Sequence, residues 1–316
     1  MQENYVDRIL KAKVYDVAVE TSLEAAPRLS RRLDNRILFK REDLQPVFSF
    51  KIRGAYNKIA QLSAISAQRG VICASAGNHA QGVALGARTR GIPAVIVMPL
   101  TTPDIKVQAV ADLGGEIVLH GDDYDQAYEH ALELGRERGL VFVHPFDDPD
   151  VIAGQGTIAM EILRQHHGDE IDAIFVPVGG GGLIAGIAAY AKSLYPRIKI
   201  IGVEPEAAPT LTKAFAAGRP VDAEAGGIAA DSLAPKRVGE LMFPIARAYV
   251  NAVLLVPDEA IRNAQRVLWS VLRVVAEPGG AAALAALLSG CYRPEKGERV
   301  GVLVCGGNTT AVDFGA

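Results

Sequence analysis

The chain has 316 residues, 49% apolar and 22% charged, and its 33 Lys and Arg against 36 Asp and Glu leave a formal net charge of −3. That length carries a prior of roughly two domains and enough apolar material for a large core. The balance argues against a disordered chain, a disulfide scaffold, and a basic surface for nucleic acid or anionic membrane. The three cysteines, Cys73, Cys291 and Cys305, contain no CxxC pair, which fits a reducing cytoplasm. Met1 to Tyr5 has no basic stretch leading into an apolar one, so it does not read as a signal peptide.

Taken in chain order, the first informative segment runs from Lys40 to Ala55, opening with charges and then setting Lys51 between Phe50 and Ile52. Beyond it, short apolar runs at 71–73, 94–98, 116–119, 173–176, 199–203 and 300–304 read as buried strands. Helical patterns occupy 80–90, 106–113, 124–138, 156–165 and 182–193. Buried strands alternating with helices predict one or two mainly parallel α/β sheets. The turn formers from Pro145 to Asp150 mark the expected seam between two lobes. The longest apolar run, Phe175 to Ala191, contains Pro177 and four consecutive glycines, so it reads as strand, turn and helix rather than a membrane span.

In open α/β sheets ligands bind at the carboxyl ends of strands, so the loops after these strands are where chemistry is expected. Val176 to Gly186 holds Gly179, Gly180, Gly181 and Gly182 between a strand and a helix. Such a turn brings backbone N–H groups close to an anion at a helix N-terminus and suits a phosphate. The same stretch fits G-x-G-x-x-A, and Glu204 follows the next strand, so a nicotinamide dinucleotide site is a rival. The loop Ala74 to Gly82 packs small and polar residues where a helix begins; Ser75 and Asn78 are expected to cap it and leave N–H groups for a carboxylate or phenolate. Lys51 either snorkels to the surface or is a desolvated lysine prepared for a Schiff base. Cys305 opens the Cys305-Gly306-Gly307-Asn308 loop after the last strand. The six histidines show no metal-ligand spacing, so no metal is expected.

The four segments FSFKIRGA, ASAGNHAQGVA, VPVGGGGLIAG and CGGN, in this order, closely resemble the fold type II pyridoxal-phosphate enzymes. Within that group the match is to the threonine and serine dehydratases, with serine racemase as a near relative, from about residue 15 to residue 308. The resemblance implies an α/β fold of two lobes, each a mainly parallel open sheet flanked by helices, as in the tryptophan synthase β subunit. Residues 1–54 and 148–316 would form the larger cofactor lobe, and 55–147 a smaller mobile one. It implies that pyridoxal 5′-phosphate is held covalently by Lys51, which also serves as the base, with Phe50 against the ring and Asn78 on the ring oxygen. Gly179, Gly180, Gly181, Gly182 and Leu183 would wrap the phosphate, Cys305 would face the ring nitrogen, and Gly227 and Glu277 would lie near the cofactor. Ser75, Gly77, Asn78 and His79 would hold the substrate carboxylate.

The implied activity is β-elimination from L-threonine and L-serine to a 2-oxo acid and ammonia. A thiol rather than a carboxylate at the ring nitrogen leaves that nitrogen largely unprotonated and favours prompt elimination. Ala76 stands where serine racemase has a serine, which disfavours racemisation. Glu204 matches a cation ligand of the racemase, but Thr210 stands at the second ligand position. Asp231 to Pro235 departs from the dehydratase pattern, so another β-hydroxy amino acid (phenylserine, 3-hydroxyaspartate, an ectoine-pathway intermediate) is an alternative, as is a non-catalytic relative. A homodimer or homotetramer, without nucleic-acid or membrane partners, is implied. Asn308 lies eight residues from the end, leaving no room for the regulatory domain that biosynthetic threonine dehydratases carry beyond this point; a catalytic core is the expectation.

Overall fold

The computed structural model describes residues 4–166 and 171–309. Among these residues ten strands form two sheets: β1 (Leu23–Ala25), β2 (Arg36–Arg41), β3 (Val71–Ala74), β4 (Ala94–Met98), β5 (Glu116–Leu119), β6 (Val141–Phe142), β7 (Ala173–Pro177), β8 (Lys199–Pro205), β9 (Ala252–Val256) and β10 (Arg299–Val304). The larger sheet has the order β1-β2-β10-β7-β8-β9 and the smaller β5-β4-β3-β6. All pairings are parallel except β1 with β2 at one edge. All six strands read from the sequence are present. Separate apolar clusters cover the two faces of each sheet, which is why β3, β4 and β7 carry unbroken apolar runs.

The strand order locates the functional crevice. In the smaller sheet β3 has β4 on one side and β6 on the other; in the larger, β7 has β8 on one side and β10 on the other. These are the points where connections leave in opposite directions, and the loops beyond such strand ends diverge to leave a crevice. The loops concerned begin at Ser75, after β6 at Val143, after β7 at Val178, and after β10 at Cys305.

Two long helices join the lobes. The Lys51–Ala60 helix packs on the Pro149–Gln165 helix with the backbones in near contact. A Cβ on Gly54 would lie 2.7 Å from the Val151 carbonyl oxygen, and one on Gly154 would lie 2.6 Å from that of Arg53. Pro149 opens the second helix, with the Asp148 carboxylate accepting from the N–H groups of Asp150 and Val151. The expected seam is therefore half loop and half helix start, and the helix begins seven residues before the predicted 156.

Beneath Lys51 lies a buried ionic cluster. The Arg53 guanidinium donates to both oxygens of Glu42 (2.7 and 2.8 Å) and both of Glu161 (2.6 and 2.9 Å). Lys40 donates to Glu161 at 2.6 Å and to the Thr21 carbonyl at 2.6 Å. Two carboxylates and two cations balance, and further bonds from Tyr15 and Thr21 fill the remaining acceptor sites. The cluster ties β2, the Lys51 helix and the Pro149 helix into one rigid base.

Candidate active site

Lys51 is the first residue of its helix, and the chain before it is stitched to the end of β10. Phe50 N–H donates to the Cys305 carbonyl at 3.1 Å, Gly307 N–H donates to that of Phe48 at 2.8 Å, and Ser49 pairs with Gly306. Phe48 takes a left-handed conformation, φ 54°, uncommon for an aromatic residue. The Lys51 amine donates to the Pro145 carbonyl at 2.8 Å and sits 5.5 Å from the centre of the Phe50 ring. Desolvation pushes the amine down to about 8, against the pull of Cys305 and Glu277. A sizeable neutral fraction near pH 8 makes it a nucleophile and a base.

The loop after β3 leads into the Asn78–Arg90 helix, whose N-cap is Gly77 without a side-chain cap bond. The expectation that Ser75 and Asn78 cap this helix is not met. Ser75 Oγ accepts only from Gly77 N–H, at 3.3 Å, while Asn78 reaches across the crevice to donate to Glu277 Oε1 at 2.8 Å and accept from Asn308 at 2.7 Å. The first N–H groups of the helix therefore remain available to an anion. His79 is buried, and its Nε2–H donates to the Val143 carbonyl at 2.8 Å. Desolvation and the nearby Lys51 hold its ring down to about 3, so it is neutral. His144 is likewise held down to about 4, with Nδ1 accepting from the N–H groups of Phe146 and Asp147.

On the facing side, β7 ends at Pro177 and the Gly182–Leu194 helix starts behind Gly181. Gly181 has φ 91° and no side-chain cap, so the turn requires glycine and offers bare N–H groups. Phe146 packs beneath it: a Cβ on Gly180 would meet the Phe146 ring at 2.2 Å. Cys305 is buried, and desolvation keeps it a neutral thiol. Glu277 is the N-cap of the Pro278–Leu288 helix; desolvation pushes its carboxyl up to about 7 against the Asn78 N–H.

These loops enclose a cavity of about 610 Å³, a size suited to a cofactor with its substrate. Phe50, Lys51, Ser75, Gly77, Asn78, His79, Gly179, Gly180, Gly181, Gly182, Leu183, Glu277 and Cys305 all line it. Gly227 does not. It sits at φ 81° in a turn closed by Asp258, whose carboxylate accepts from Ile228 N–H at 3.1 Å. Lining residues that the sequence did not single out include Gln155, Tyr124, Lys106 and Lys236. Lys106 pairs with Asp231 at 2.8 Å and Lys236 pairs with Asp125, both across the mouth between the lobes.

Glu204 is committed elsewhere. Buried at the end of β8, its carboxylate accepts from Leu211 N–H (2.6 Å), Thr212 N–H (3.0 Å) and Thr212 Oγ1 (2.8 Å), capping the Thr210–Ala217 helix. It is not free for a nicotinamide ribose, so the dinucleotide fingerprint loses its acidic partner. The cavity residues do fit pyridoxal phosphate. A desolvated amine can take its carbonyl, an uncapped glycine turn its phosphate, a neutral thiol its ring nitrogen and an amide N–H its ring oxygen. No helix among the described residues is long and apolar enough to cross a membrane.

Comparison with known proteins agrees with this geometry. Among curated relatives, a biosynthetic L-threonine dehydratase of Burkholderia multivorans is 54% identical over 285 residues, 89% of this chain and 56% of the relative. A chloroplastic biosynthetic threonine dehydratase of Arabidopsis thaliana is 52% identical over 305 residues, 96% and 51% respectively. The chain thus spans about half the length of the curated relatives it matches. Among solved structures, the processed form of threonine deaminase isoform 2 from Solanum lycopersicum superposes with a TM-score of 0.93 at 45% identity, covering 97% of this chain and 89% of that one. Maize serine racemase follows at 0.92 and 35%, covering 97% and 94%. The family model described as "Pyridoxal-phosphate dependent enzyme" matches residues 14–306, a span that takes in both lobes and every loop of the cavity. The chain belongs to the pyridoxal-phosphate dependent enzymes.

Proposed function

We propose that the chain is an ammonia-lyase that converts L-threonine, and L-serine, to the corresponding 2-oxo acid and ammonia. The observation that carries this reading is the Lys51 amine, desolvated and lowered to about 8, in a cavity with an uncapped helix start on either side. The names of the threonine dehydratase relatives support it. When bound, the cofactor supplies a carbonyl for the substrate amine and a conjugated ring that acidifies the α-proton.

Lys51 would carry the cofactor and, once released, take the α-proton. Phe50 would pack on the ring, the N–H groups from Gly179 to Leu183 would hold the phosphate, and Asn78 would donate to the ring oxygen. Cys305, kept a neutral thiol by burial, would leave the ring nitrogen uncharged. The substrate carboxylate would take the Ser75 hydroxyl and, behind the Gly77 turn, the N–H groups of Asn78 and His79, because the Ser75 N–H already donates to the Val97 carbonyl at 3.1 Å. The His79 ring contributes none of these donors, because its Nε2–H is used by Val143 and its neutral Nδ1 only accepts. Ala76 lines the cavity and has no group to return a proton to the second face, which favours elimination over racemisation. Residues 55–147 form the proposed smaller lobe, closing across the Lys106–Asp231 pair. The same reading gives a cytoplasmic enzyme that forms a homodimer or homotetramer, which light scattering on the purified chain measures.

A panel of β-hydroxy amino acids assayed for 2-oxo acid and ammonia tests the proposal. L-threonine and L-serine are expected to lead. A lead by phenylserine, 3-hydroxyaspartate or an ectoine-pathway intermediate would overturn the substrate assignment, and no ammonia from any of them would overturn the activity.

A further inference from the structure

Asn78 is joined to two other loops by hydrogen bonds whose direction can be derived. Asn308 Nδ2 donates to the Val47 backbone carbonyl at 2.7 Å and to Asn78 Oδ1 at 2.7 Å. A backbone carbonyl only accepts, so it fixes which end of the Asn308 amide points inward. Asn308 therefore presents N–H to Asn78, and Asn78 must answer with its oxygen. Its nitrogen is then turned toward Glu277 Oε1, at 2.8 Å, which accepts. The crowding there is tight: a Cβ on Gly306 would lie 2.5 Å from Glu277 Oε1 and 3.5 Å from Asn78 Nδ2.

Asn78 Nδ2 has two hydrogens, and the bond to Glu277 uses one. We propose that Asn308 is a positioning residue: anchored on the Val47 carbonyl, it fixes the polarity of the Asn78 amide so that the spare N–H, and not the oxygen, meets the cofactor's ring oxygen. A reversed amide would set oxygen against oxygen. This inference deepens the proposed role of Asn78 and rests on it. It also gives the CGGN loop a function in its last residue, not only in Cys305.

The test measures the dissociation constant of pyridoxal 5′-phosphate from the full chain by absorbance, together with the melting temperature of the cofactor-free protein. Asn308→Ala removes the anchor, but Glu277 still accepts the Asn78 N–H, so affinity should fall less than about threefold. Asn308→Asp puts an acceptor where the donor was and draws the Asn78 nitrogen toward itself, so affinity should fall about tenfold or more. Both variants lose the Val47 bond, so a merely structural role predicts equal effects on affinity and melting, and that result would overturn the proposal. In an Asn78→Ala background the additional Asp effect should vanish; its persistence would mean direct repulsion and would also overturn it. If Asn78→Ala alone leaves cofactor affinity unchanged, the reading of Asn78 as a cofactor ligand fails instead, and the inference falls with it. Should Asn308→Asp not fold, Asn308→Ala combined with Glu277→Met, which removes the acceptor of the Asn78 N–H, carries the test. Releasing both ends should weaken binding by more than the product of the single effects, and a simple product would overturn the proposal.

Discussion

Replacing Arg53 by Met should destabilise the protein strongly, and more at pH 8 than at pH 5. Met keeps much of the volume and the helix propensity, so the change isolates the charge. Arg53 and both its carboxylate partners are fully buried. After substitution Glu161 retains Lys40, Tyr15 and Thr21, while Glu42 retains only neutral donors from Thr21 and Gln45. A buried charge stripped of its partner costs about 3–5 kcal/mol, or on the order of 5–10 °C in apparent melting temperature for a chain of this size. In the native protein burial pushes the Glu42 carboxyl up, but Arg53 first, with Lys40 and Thr21, more than offsets this and holds it low. Its contribution is then complete above the unfolded value near 4.3 and constant from pH 5 to 8. Without Arg53 the same burial raises the folded value above the unfolded one, so the folded state binds the extra proton and stability falls as pH rises. Thermal unfolding of both proteins at pH 5 and pH 8 reads this difference. A loss under about 1 kcal/mol, or an equal loss at both pH values, would refute the reasoning, and adding Glu42→Gln should recover most of the pH 8 deficit.

Glu277 should leave its own signature in the cofactor-free protein. Its carboxyl is raised to about 7, so between about pH 4.5 and 7 the folded state keeps a proton that the unfolded state has lost, and stability declines by on the order of 3 kcal/mol. Glu277→Gln should abolish that slope in urea titrations across the window; an unchanged slope would assign it to another group. Gly181→Ala and Gly91→Ala both put a side chain at positive φ, 91° and 65°, but the new Cβ meets Met242 Cε at 2.1 Å at Gly181 and nothing within 4 Å at Gly91. Gly91→Ala should cost about 1–2 kcal/mol of stability and Gly181→Ala more, through overpacking against Met242, but only Gly181→Ala should weaken pyridoxal phosphate binding, by about tenfold, and equal affinities would remove the phosphate role of the turn. Asp231→Asn should raise KM a few-fold at low salt, vanishing at high salt, because its partner Lys106 spans an exposed mouth. A fall in kcat of tenfold would give Asp231 a chemical role instead.

Central strands were legible in the sequence because burial on both faces writes an unbroken apolar run, as in Ala94–Met98 and Ala173–Pro177. β2 escaped notice because Arg36, Lys40 and Arg41 break its apolar pattern, and Lys40 is inside only because Glu161, 121 residues away, receives it. β9, Ala-Val-Leu-Leu-Val, is an apolar run as plain as the central ones, whereas β6 has only two residues. The site loops were legible because glycine and small polar residues cluster after strands. What they bond to was not, since Asn78 to Glu277 and Asn78 to Asn308 are pairings across 199 and 230 residues. Gly227 was carried over on family resemblance alone, and its turn is closed by Asp258 outside the cavity.

Borohydride reduction of the cofactor-loaded protein, followed by peptide mass spectrometry, tests the central claim most directly. The account predicts loss of the visible absorbance and a phosphopyridoxyl adduct on Lys51, with the Lys51→Ala protein giving neither adduct nor 2-oxo acid from L-threonine. An adduct on another lysine, or full turnover by Lys51→Ala, would contradict it.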